Sequence, residues 1–297
     1  MKLVYINGGL GNQMFQYMFF YWLQHQVNDE CVLDDLAFFG SRVPHNGYEL
    51  ERIFGIHAPR MSERFDKETW DGMACARDEE GKSVPQIFKD MGLPLAVVRE
   101  RMVNNLNYDG DVLETRTETE IPIPSRDAYF HGYWLGDGFF RFHERELREL
   151  FRFPALSPAD REIAELINLS RESTAVHVRR GDMAEFGWSA PAEKFAERIR
   201  WMEEHRNPQR YFLFSDDIPW CREHAAELGL NTLDGRLVVV EGHNKENAYI
   251  DMQLMSLCVN RISDRSSFSL LAGFLCRKPN ACNISSWMMA NAEFVPQ

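Results

Sequence analysis

The second half of the chain alternates between two patterns of apolar and polar positions. Short apolar runs predict buried strands at residues 174–178, 210–214, 237–240 and 261–262. Between them, apolar residues recur every three or four positions, as at Phe195, Ile199 and Met202, which predicts helices at residues 158–168, 192–205, 219–228, 247–258 and from 270. A loop is predicted from Arg179 to Pro191. Strands that alternate with helices favour right-handed βαβ units and therefore a parallel sheet.

The first half opens with the same pattern and then loses it. Residues 3–6 predict a strand, which leads through a glycine-rich turn into a helix, and a second strand is predicted at residues 31–33. Residues 48–54 fit a short helix or a packed turn. Residues 60–120 predict only helices and loops, among which residues 94–98 are a strand or the start of a helix. The aromatic segment 129–134 is typical of a core, although exposed aromatic rings beside polar groups also stack on sugars.

A proline-containing linker at residues 153–158 separates the two halves. A chain of 297 residues is long for a single core and suits two domains of ordinary size. We therefore predict one α/β domain at residues 1–153 and a second at residues 154–297.

Composition narrows the class of protein. Hydrophobic residues make up 44% and charged residues 26% of the chain, which is typical of a soluble globular protein. The net charge of −12 argues against an extended nucleic-acid surface but is compatible with a small basic pocket. The six cysteines form no C-x-x-C pair, so we expect reduced thiols. With no signal-peptide pattern and no apolar stretch that spans a bilayer, the sequence predicts a cytoplasmic protein, with any membrane association peripheral.

Charged residues follow the strand predicted at residues 174–178. Arg179 and Arg180 come directly after it, and Gly181 and Asp182 follow. Ligands bind at the carboxyl ends of strands in open α/β sheets. Two adjacent guanidiniums are not core residues, because an unpaired buried charge is costly, and a phosphate suits the forked donors of arginine. The alternative is an arginine pair that engages surface carboxylates.

Two more predicted strands end in polar residues. Asp216 and Asp217 follow the strand at 210–214, and Ser266 and Ser267 follow the strand at 261–262. In a parallel sheet all three ends lie at one edge, where arginines, hydroxyls and helix-start N–H groups bind a diphosphate and a carboxylate accepts from ribose or guanine. The combination predicts a nucleoside-diphosphate ligand. For the aspartates, a metal pair and a helix cap before Pro219 are the alternatives, although adjacent extended residues point opposite ways.

The glycine-rich turn near the amino terminus is a second candidate for anion binding. Gly9, Gly11 and Asn12 lie between the first strand and the first helix, an arrangement that presents backbone N–H groups to a phosphate. The spacing is not G-x-G-x-x-G and there is no Walker lysine. A tight turn without a ligand is therefore an equal alternative.

These stretches together resemble glycosyltransferase family 11, the bacterial-type α-1,2-fucosyltransferases. The resemblance runs nearly the whole length of the chain in the family's order. Its specific motifs are GGLGNQMFQY at residues 8–17 and HVRRGD at residues 177–182, followed by FSDD at 214–217 and SSFS at 266–269. Weaker matches occur at residues 48–50, 132–134 and 251–256 and at Trp287.

The resemblance implies two Rossmann-like α/β domains facing across a cleft, the GT-B-like architecture. The amino-terminal domain would contact the acceptor, a galactose-containing oligosaccharide or a lipid-linked glycan, and the carboxy-terminal domain would hold GDP-fucose. The implied reaction is inverting transfer of L-fucose to the 2-hydroxyl of a galactosyl residue. It implies no metal, no cofactor besides the donor substrate and no nucleic-acid partner.

The resemblance also assigns residues. By position, Arg179 matches the contact to the β-phosphate, Arg180 and Asp182 order the loop around it, and Asn12 lies near the fucose end of the donor. The expected donor-binding set is Gly9, Gly11, Asn12, His177, Arg180, Asp216, Asp217, Ser266, Ser267 and Phe268. The chain departs from the family where Arg265 replaces the usual asparagine, Leu270 and Leu271 replace two tryptophans, and residues 135–137 replace Gln-Ser-Glu. These departures bear on the acceptor more than on the donor.

The chemistry of such a transfer points to two catalytic candidates. Negative charge grows on the leaving β-phosphate as its bond to the sugar C1 breaks, so a fixed cation there stabilises the transition state more than the ground state, and Arg179 suits that role. Asp182 is the leading candidate for the base that takes the acceptor proton, and His131 is the second. The alternatives are another nucleotide sugar, another fucosyl linkage, or a nucleotide-sugar or glycan-binding protein without turnover.

Overall fold

The computed structural model describes residues 1–40, 43–101, 103–115, 120–136 and 141–285, without the side chains of Phe142 and Asp182. The chain divides into two compact units, Met1–Arg152 and Phe153–Gln297. Phe153 is also the first residue of the linker predicted at residues 153–158. Of the weaker motif positions, Asp137 and Trp287 lie outside the described residues.

The first unit is an α/β layer structure. Its strands are β1 (Lys2–Tyr5), β2 (Cys31–Asp34), β3 (Ala96–Arg99), β4 (Val112–Glu114) and β5 (Ala128–His131). Its helices are α1 (Leu10–Gln26), α2 (Leu50–Phe54), α3 (Lys67–Glu80), α4 (Val84–Asp90) and α5 (Glu144–Leu150). Within the described residues, these strands form one parallel sheet in the order β2-β1-β5-β3-β4.

Helix α1, which follows the glycine-rich turn, is largely buried. Met14 and Phe19 are fully buried, and the ring of Phe19 stacks on that of Trp134 with centroids 3.8 Å apart. In the aromatic segment on and after β5, Tyr129, Phe130 and Trp134 are at most 2% exposed. These aromatic residues therefore belong to the core, and none of the three offers a sugar-stacking surface.

The second unit repeats the layer arrangement. Its strands are β6 (Thr174–Val178), β7 (Tyr211–Ser215), β8 (Leu237–Val239), β9 (Asn260–Ser263) and β10 (Cys282–Ser285). Its helices are α6 (Pro158–Leu169), α7 (Gly181–Glu185), α8 (Ala192–His205), α9 (Ile218–Glu223), α10 (Tyr249–Leu257) and α11 (Ser267–Leu275). In the described part of this unit the sheet is again parallel, in the order β10-β9-β6-β7-β8.

The core of the second unit follows the predicted helical stripe. Phe195, Ile199 and Met202 of α8 are at most 2% exposed and pack in one cluster with Val176 of β6 and Leu213 of β7. Burial of this apolar stripe against the sheet explains why residues 192–205 form a helix here. It also fixes α8 beneath the strands whose ends carry the candidate site.

Several predicted boundaries are wrong. The loop predicted at residues 179–191 contains the short helix α7, and the helix predicted at residues 219–228 ends at Glu223. The chain continues there as turns to Gly229, which has φ +77° and lies so close to α8 that a Cβ would come within 2.9 Å of the Ala196 Cα. The backbone must therefore turn at this glycine. Strands β4, β5 and β10 and helices α3 and α4 were not individually predicted, and residues 96–99 prove to be a strand.

Among the described residues, every helix is too short or too polar to cross a lipid bilayer.

Candidate functional site

The edge of the second sheet brings three polar strand ends together. Strand β6 lies between β9 and β7 and is parallel to both. Arg179 at the end of β6, Asp216 at the end of β7 and Ser266 after β9 therefore lie at the same edge, as the sequence predicts. A loop at the carboxyl end of a parallel strand is the usual position for a ligand in such folds.

Asp216 holds the arginine loop in place. Its Oδ2 lies 2.7 Å from Nη1 of Arg179, and its Oδ1 accepts a 2.7 Å hydrogen bond from the backbone N–H of Arg180. A side chain at position 181 would collide with the same carboxylate, because a Cβ on Gly181 would lie 2.6 Å from Asp216 Oδ2. The side chains of Arg179 and Asp216 are 30% and 27% exposed. The ion pair is therefore open to solvent, and an arriving anion can compete for Arg179.

Arg180 is positioned by an aromatic ring. Its guanidinium carbon lies 3.9 Å from the ring centroid of Trp220, close enough for a cation–π interaction. Its buried Nε has no hydrogen-bond partner among the described residues. The stacking aligns the guanidinium plane and leaves this N–H without an acceptor among the described residues. The role of Arg180 in ordering the loop stays a prediction.

Asp217 has a different task from its neighbour. It is the N-cap of α9, and its Oδ1 accepts a 3.1 Å hydrogen bond from the N–H of Trp220. The two adjacent aspartates thus engage different partners, which agrees with the expectation that they point opposite ways. The helix-cap alternative is correct for Asp217, and the guanine contact expected of these two residues stays a prediction.

His177 links β6 to the hydroxyl cluster. The side chain is 7% exposed, and its Nδ1 lies 2.5 Å from Oγ of Ser269 in the first turn of α11. Burial, with the nearby charge of Arg179, lowers the pKa of His177 to about 3, so the imidazole is neutral at working pH. The ring of Phe268 lies 5.8 Å from that of His177. Ser269 belongs to the SSFS motif but was not among the predicted site residues, and it holds this imidazole.

The start of α11 is capped from within the serine motif. Ser266 is its N-cap, and the Oγ of this residue accepts from the N–H of Ser269 at 3.5 Å. Ser267 is the first residue of the helix. The helix thus begins three residues earlier than predicted, and its N-terminal N–H groups lie at the same sheet edge as the arginines.

A buried acid next to this edge was missed by the sequence analysis. Asp264 follows β9 directly and is 1% exposed, and neither carboxyl oxygen has a hydrogen-bond partner of ordinary geometry among the described residues. Burial raises its pKa to about 7, an effect that the Ala190 N–H and the guanidinium of Arg198 partly offset. Arg198 is itself 6% exposed and donates to the carbonyl of Ser263 at 2.6 Å. The only sequence signal for Asp264 is an acid placed directly after a short apolar strand.

In the first unit, two buried glutamines brace the glycine-rich turn. Gln13 Nε2 donates to the carbonyls of Gly8 and Gly47, each at 2.8 Å, and its Oε1 accepts from the N–H of Glu49. Gln16 Oε1 accepts from the N–H of Asn7, and Gln16 Nε2 donates to the carbonyl of Gly132. Both glutamines are fully buried. Their amides satisfy backbone groups that a turn leaves unpaired, which explains polar residues on a buried helix face.

The turn itself needs glycine and is completed by α1. Gly8 has φ +83°, and a Cβ there would lie 2.7 Å from Asn12 Nδ2. Gly9 is the N-cap of α1, Gly11 is buried in its first turn, and the N–H of Asn12 donates to the carbonyl of Gly9 at 2.9 Å. The backbone thus accounts for a tight turn at Gly8. Whether the turn also binds an anion, and the expected contacts of Gly9, Gly11 and Asn12 with a donor, remain predictions.

The two candidate bases differ in position. Asp182 lies on α7, two residues after Arg180, and its side chain is outside the described atoms. His131 lies in β5, is 3% exposed and has its Nε2 2.8 Å from Oδ1 of Asn105. Burial and the charge of Arg99 lower its pKa to about 4. Because its side chain is buried, His131 is a poor choice for a group that must reach an acceptor hydroxyl.

The described side chains contain no group of three or more His, Cys, Asp or Glu residues arranged to hold a metal ion.

Comparison with known protein families identifies one family that the chain matches. The sequence profile of Glycosyl transferase family 11 matches residues 97–296 of the chain, about two thirds of its length. The match includes β6, the arginine pair and the serine motif. It agrees with the family that the motifs resemble.

Two relatives from Escherichia coli are similar along most of the chain. An α-1,2-colitosyltransferase is 26% identical over 274 residues, which cover 90% of this chain and 85% of that protein. The O-antigen biosynthesis glycosyltransferase WbnK is 26% identical over 296 residues, which cover 91% of this chain and 88% of that protein.

Solved structures show the same fold. The fucosyltransferase NodZ from Bradyrhizobium superposes with a TM-score of 0.52 at 14% identity, covering 92% of each chain. A structure of NodZ α-1,6-fucosyltransferase soaked with GDP-fucose has a TM-score of 0.51 at 16% identity, covering 92% of this chain and 91% of that one. This likeness, together with the two five-stranded parallel sheets of the described residues, confirms the predicted α/β fold class.

Proposed function

The chain belongs to glycosyltransferase family 11, and we propose that it transfers L-fucose from GDP-fucose to the 2-hydroxyl of a galactosyl residue. The observation that carries this proposal is the sheet edge at which Arg179, Arg180 and the start of α11 meet. Two guanidiniums and a helix N-terminus are suited to a diphosphate. The linkage is supported by the name of the colitosyltransferase relative, which is also α-1,2.

In the proposed reaction, Arg179 exchanges partners. In the structure its Nη1 is bound to Asp216 Oδ2. When the donor binds, the guanidinium of Arg179 donates two hydrogen bonds to oxygens of the β-phosphate. Asp216 still keeps the loop in place by accepting the hydrogen bond from the Arg180 N–H. As the bond from the sugar C1 to the β-phosphate oxygen breaks, its electron pair goes to GDP. Arg179 stabilises that growing charge, and this lowers the barrier because the charge is greater in the transition state.

The acceptor oxygen forms the new bond to C1 from the opposite face and loses its proton. Asp182, in the first turn of α7, is the residue that we propose as the base. The products are the fucosylated acceptor, with inverted configuration at C1, and GDP. We propose a cytoplasmic enzyme whose acceptor is a free galactoside or a lipid-linked glycan.

A second donor is favoured by one observation. The relative named as an α-1,2-colitosyltransferase is 26% identical over most of the chain. Colitose is L-fucose without its 3-hydroxyl, so a site that carries out one transfer differs from the other at a single hydroxyl contact. GDP-colitose is therefore the donor against which GDP-fucose must be compared.

A donor panel tests the proposal. Thermal shifts with GDP, UDP and dTDP and with their sugars show which base is bound, since a ligand at a hundredfold excess over its dissociation constant adds about 2.7 kcal/mol to stability. Transfer to β-galactosides is then followed by GDP release, and the linkage of the product is determined by NMR. We expect GDP and GDP-fucose to stabilise the protein and an α-1,2 product to form. Equal stabilisation by UDP would contradict the guanine assignment. If GDP-fucose binds but no GDP is released in the presence of the acceptor, the chain is a nucleotide-sugar-binding protein without turnover.

A further inference from the structure

Two exposed aromatic rings lie beside the arginine loop. Phe186 is 62% and Trp188 63% exposed, the highest values among the described Phe and Trp side chains. Their ring centroids are 5.0 Å apart and the rings are inclined by 32°. Large apolar side chains that pair with each other at a surface, next to a polar site, are a common mark of a binding surface. We call these two residues the aromatic pair.

The backbone holds the aromatic pair in a defined position. Gly187, between the two rings, has φ +69°, and its N–H donates to the carbonyl of Ala184 at 3.1 Å. The N–H of Trp188 donates to the carbonyl of Met183 at 2.8 Å. These two bonds and the left-handed glycine form a Schellman motif, which ends α7 in a fixed geometry. The backbone that carries the two rings is therefore fixed by hydrogen bonds.

The same turn contacts the residue proposed to hold the leaving phosphate. Ser189, directly after Trp188, donates from its Oγ to the carbonyl of Arg179 at 3.4 Å. Ala190 then packs against the core of the second unit. The aromatic pair is thus joined to the arginine loop at one end and to the core at the other. Trp188 is the residue directly before Ser189, which is hydrogen-bonded to the Arg179 carbonyl.

We infer that the aromatic pair is the platform on which the acceptor's galactosyl ring stacks, an inference that rests on the proposed fucosyl transfer. The acceptor hydroxyl must reach the donor C1, which is joined through one oxygen to the phosphate that Arg179 holds. The acceptor ring therefore lies next to the arginine loop. One face of a galactopyranose carries C–H groups, which pack on aromatic rings. The donor sugar is already anchored through its diphosphate, whereas an exposed platform suits a ring that arrives from solvent.

Steady-state kinetics and direct binding test this inference together. The variants are Trp188→Ala, Phe186→Ala, the conservative Trp188→Phe, and Leu169→Ala as a control that removes another exposed apolar side chain (82% exposed) at the end of α6. For the two alanine variants at the platform, we expect KM for a soluble β-galactoside to rise about fivefold to tenfold, the loss of one stacked ring. KM for GDP-fucose and kcat should stay within about twofold. Trp188→Phe should retain most of the affinity, and Leu169→Ala should match the wild type.

Binding of the β-galactoside to the GDP-bound protein, measured by saturation-transfer NMR, separates this inference from the proposed function. If the wild type binds the galactoside and Trp188→Ala does not, the platform stands even where no fucose is transferred. Normal transfer with an unchanged acceptor KM in both alanine variants overturns it. A rise confined to the KM of GDP-fucose overturns it in favour of the donor sugar. Binding of the wild type and the two alanine variants to phosphatidylglycerol vesicles is measured as well. If the alanine variants lose vesicle binding while their acceptor KM is unchanged, the inference is overturned in favour of a membrane contact.

Discussion

Replacement of Asp264 by asparagine should stabilise the protein at neutral and alkaline pH. The carboxyl is 1% exposed and has no hydrogen-bond partner of ordinary geometry among the described residues. Its pKa is raised by burial from 3.8 to about 7. Between these two values the folded protein holds a proton that the unfolded chain has released. The free energy of unfolding therefore falls as pH rises from about 4 to about 7, and it is level above that.

The size of the effect follows from the pKa. A shift from 3.8 to about 7 is roughly three units, and at 1.36 kcal/mol per unit the ionised carboxyl costs about 4 kcal/mol at pH 8. We take this as an upper limit, because asparagine also loses the attraction of Arg198 and still needs a partner for its amide. A net gain of about 2 kcal/mol corresponds to a Tm higher by about 4–8 °C.

The assay is thermal unfolding of the wild type and Asp264→Asn at pH 4.5 to 8.5, with Asp234→Asn, a substitution at an exposed aspartate, as the control. The difference in Tm between Asp264→Asn and the wild type should be small at pH 4.5 and should grow to its full value near pH 7.5. The control should show no such growth. A difference that does not vary with pH, or a less stable Asp264→Asn at pH 8, would mean that Asp264 is ionised and well paired with Arg198.

Four further predictions concern other residues and the reaction. Arg179→Lys keeps the charge but loses the fork, so kcat should fall on the order of a hundredfold while the Tm without ligand hardly changes; earlier melting with normal turnover would contradict a catalytic role. Asp216→Asn should lower kcat and leave GDP affinity unchanged or higher, since the competing anion is removed, whereas a matching loss of GDP affinity would indicate a guanine contact. His243 lies between the carboxylates of Asp160 and Asp251, at 2.9 and 2.6 Å, and its pKa is raised; His243→Gln should therefore lower the Tm below pH 6.5, and the difference should shrink as pH rises through the folded pKa of the histidine. Transfer should survive excess EDTA, because the arginines supply the positive charge, and activity that EDTA removes and Mg²⁺ restores would refute this.

The strands that carry the site could be predicted because they are short, apolar and bounded by charge. The prediction of β6 has the same bounds as the structure, as does that of α8. The sequence does not by itself predict that β6 lies between β9 and β7, because it predicts a parallel sheet but not the order of its strands. The local pattern of apolar residues was enough to predict an element when that element was a single buried strand or a helix with one apolar face.

Partners of the polar residues could not be predicted in the same way. Asp216 and Asp217 are neighbours with the same side chain, yet one holds the arginine loop and the other caps α9. That choice depends on how two loops 36 residues apart meet. The environment of Asp264 was hidden for a similar reason: its neighbours Arg265 and Ser266 give the local sequence the appearance of an exposed turn, while the burial comes from α8. Such contacts depend on tertiary packing, which periodicity does not record.

The parallel topology of the second sheet also determines when the arginine loop can take its shape during synthesis. Arg180 and Asp216 are 36 residues apart, and His177 and Ser269 are 92 residues apart. At about 5–20 residues per second, a ribosome needs roughly 5–18 s to add the residues between His177 and Ser269. For most of that interval, until Asn260–Ser263 has been added, β6 lacks β9, one of its two neighbours, and the backbone groups along that edge of β6 are unpaired. Chains that end before β9 should therefore be substrates for chaperones and proteases.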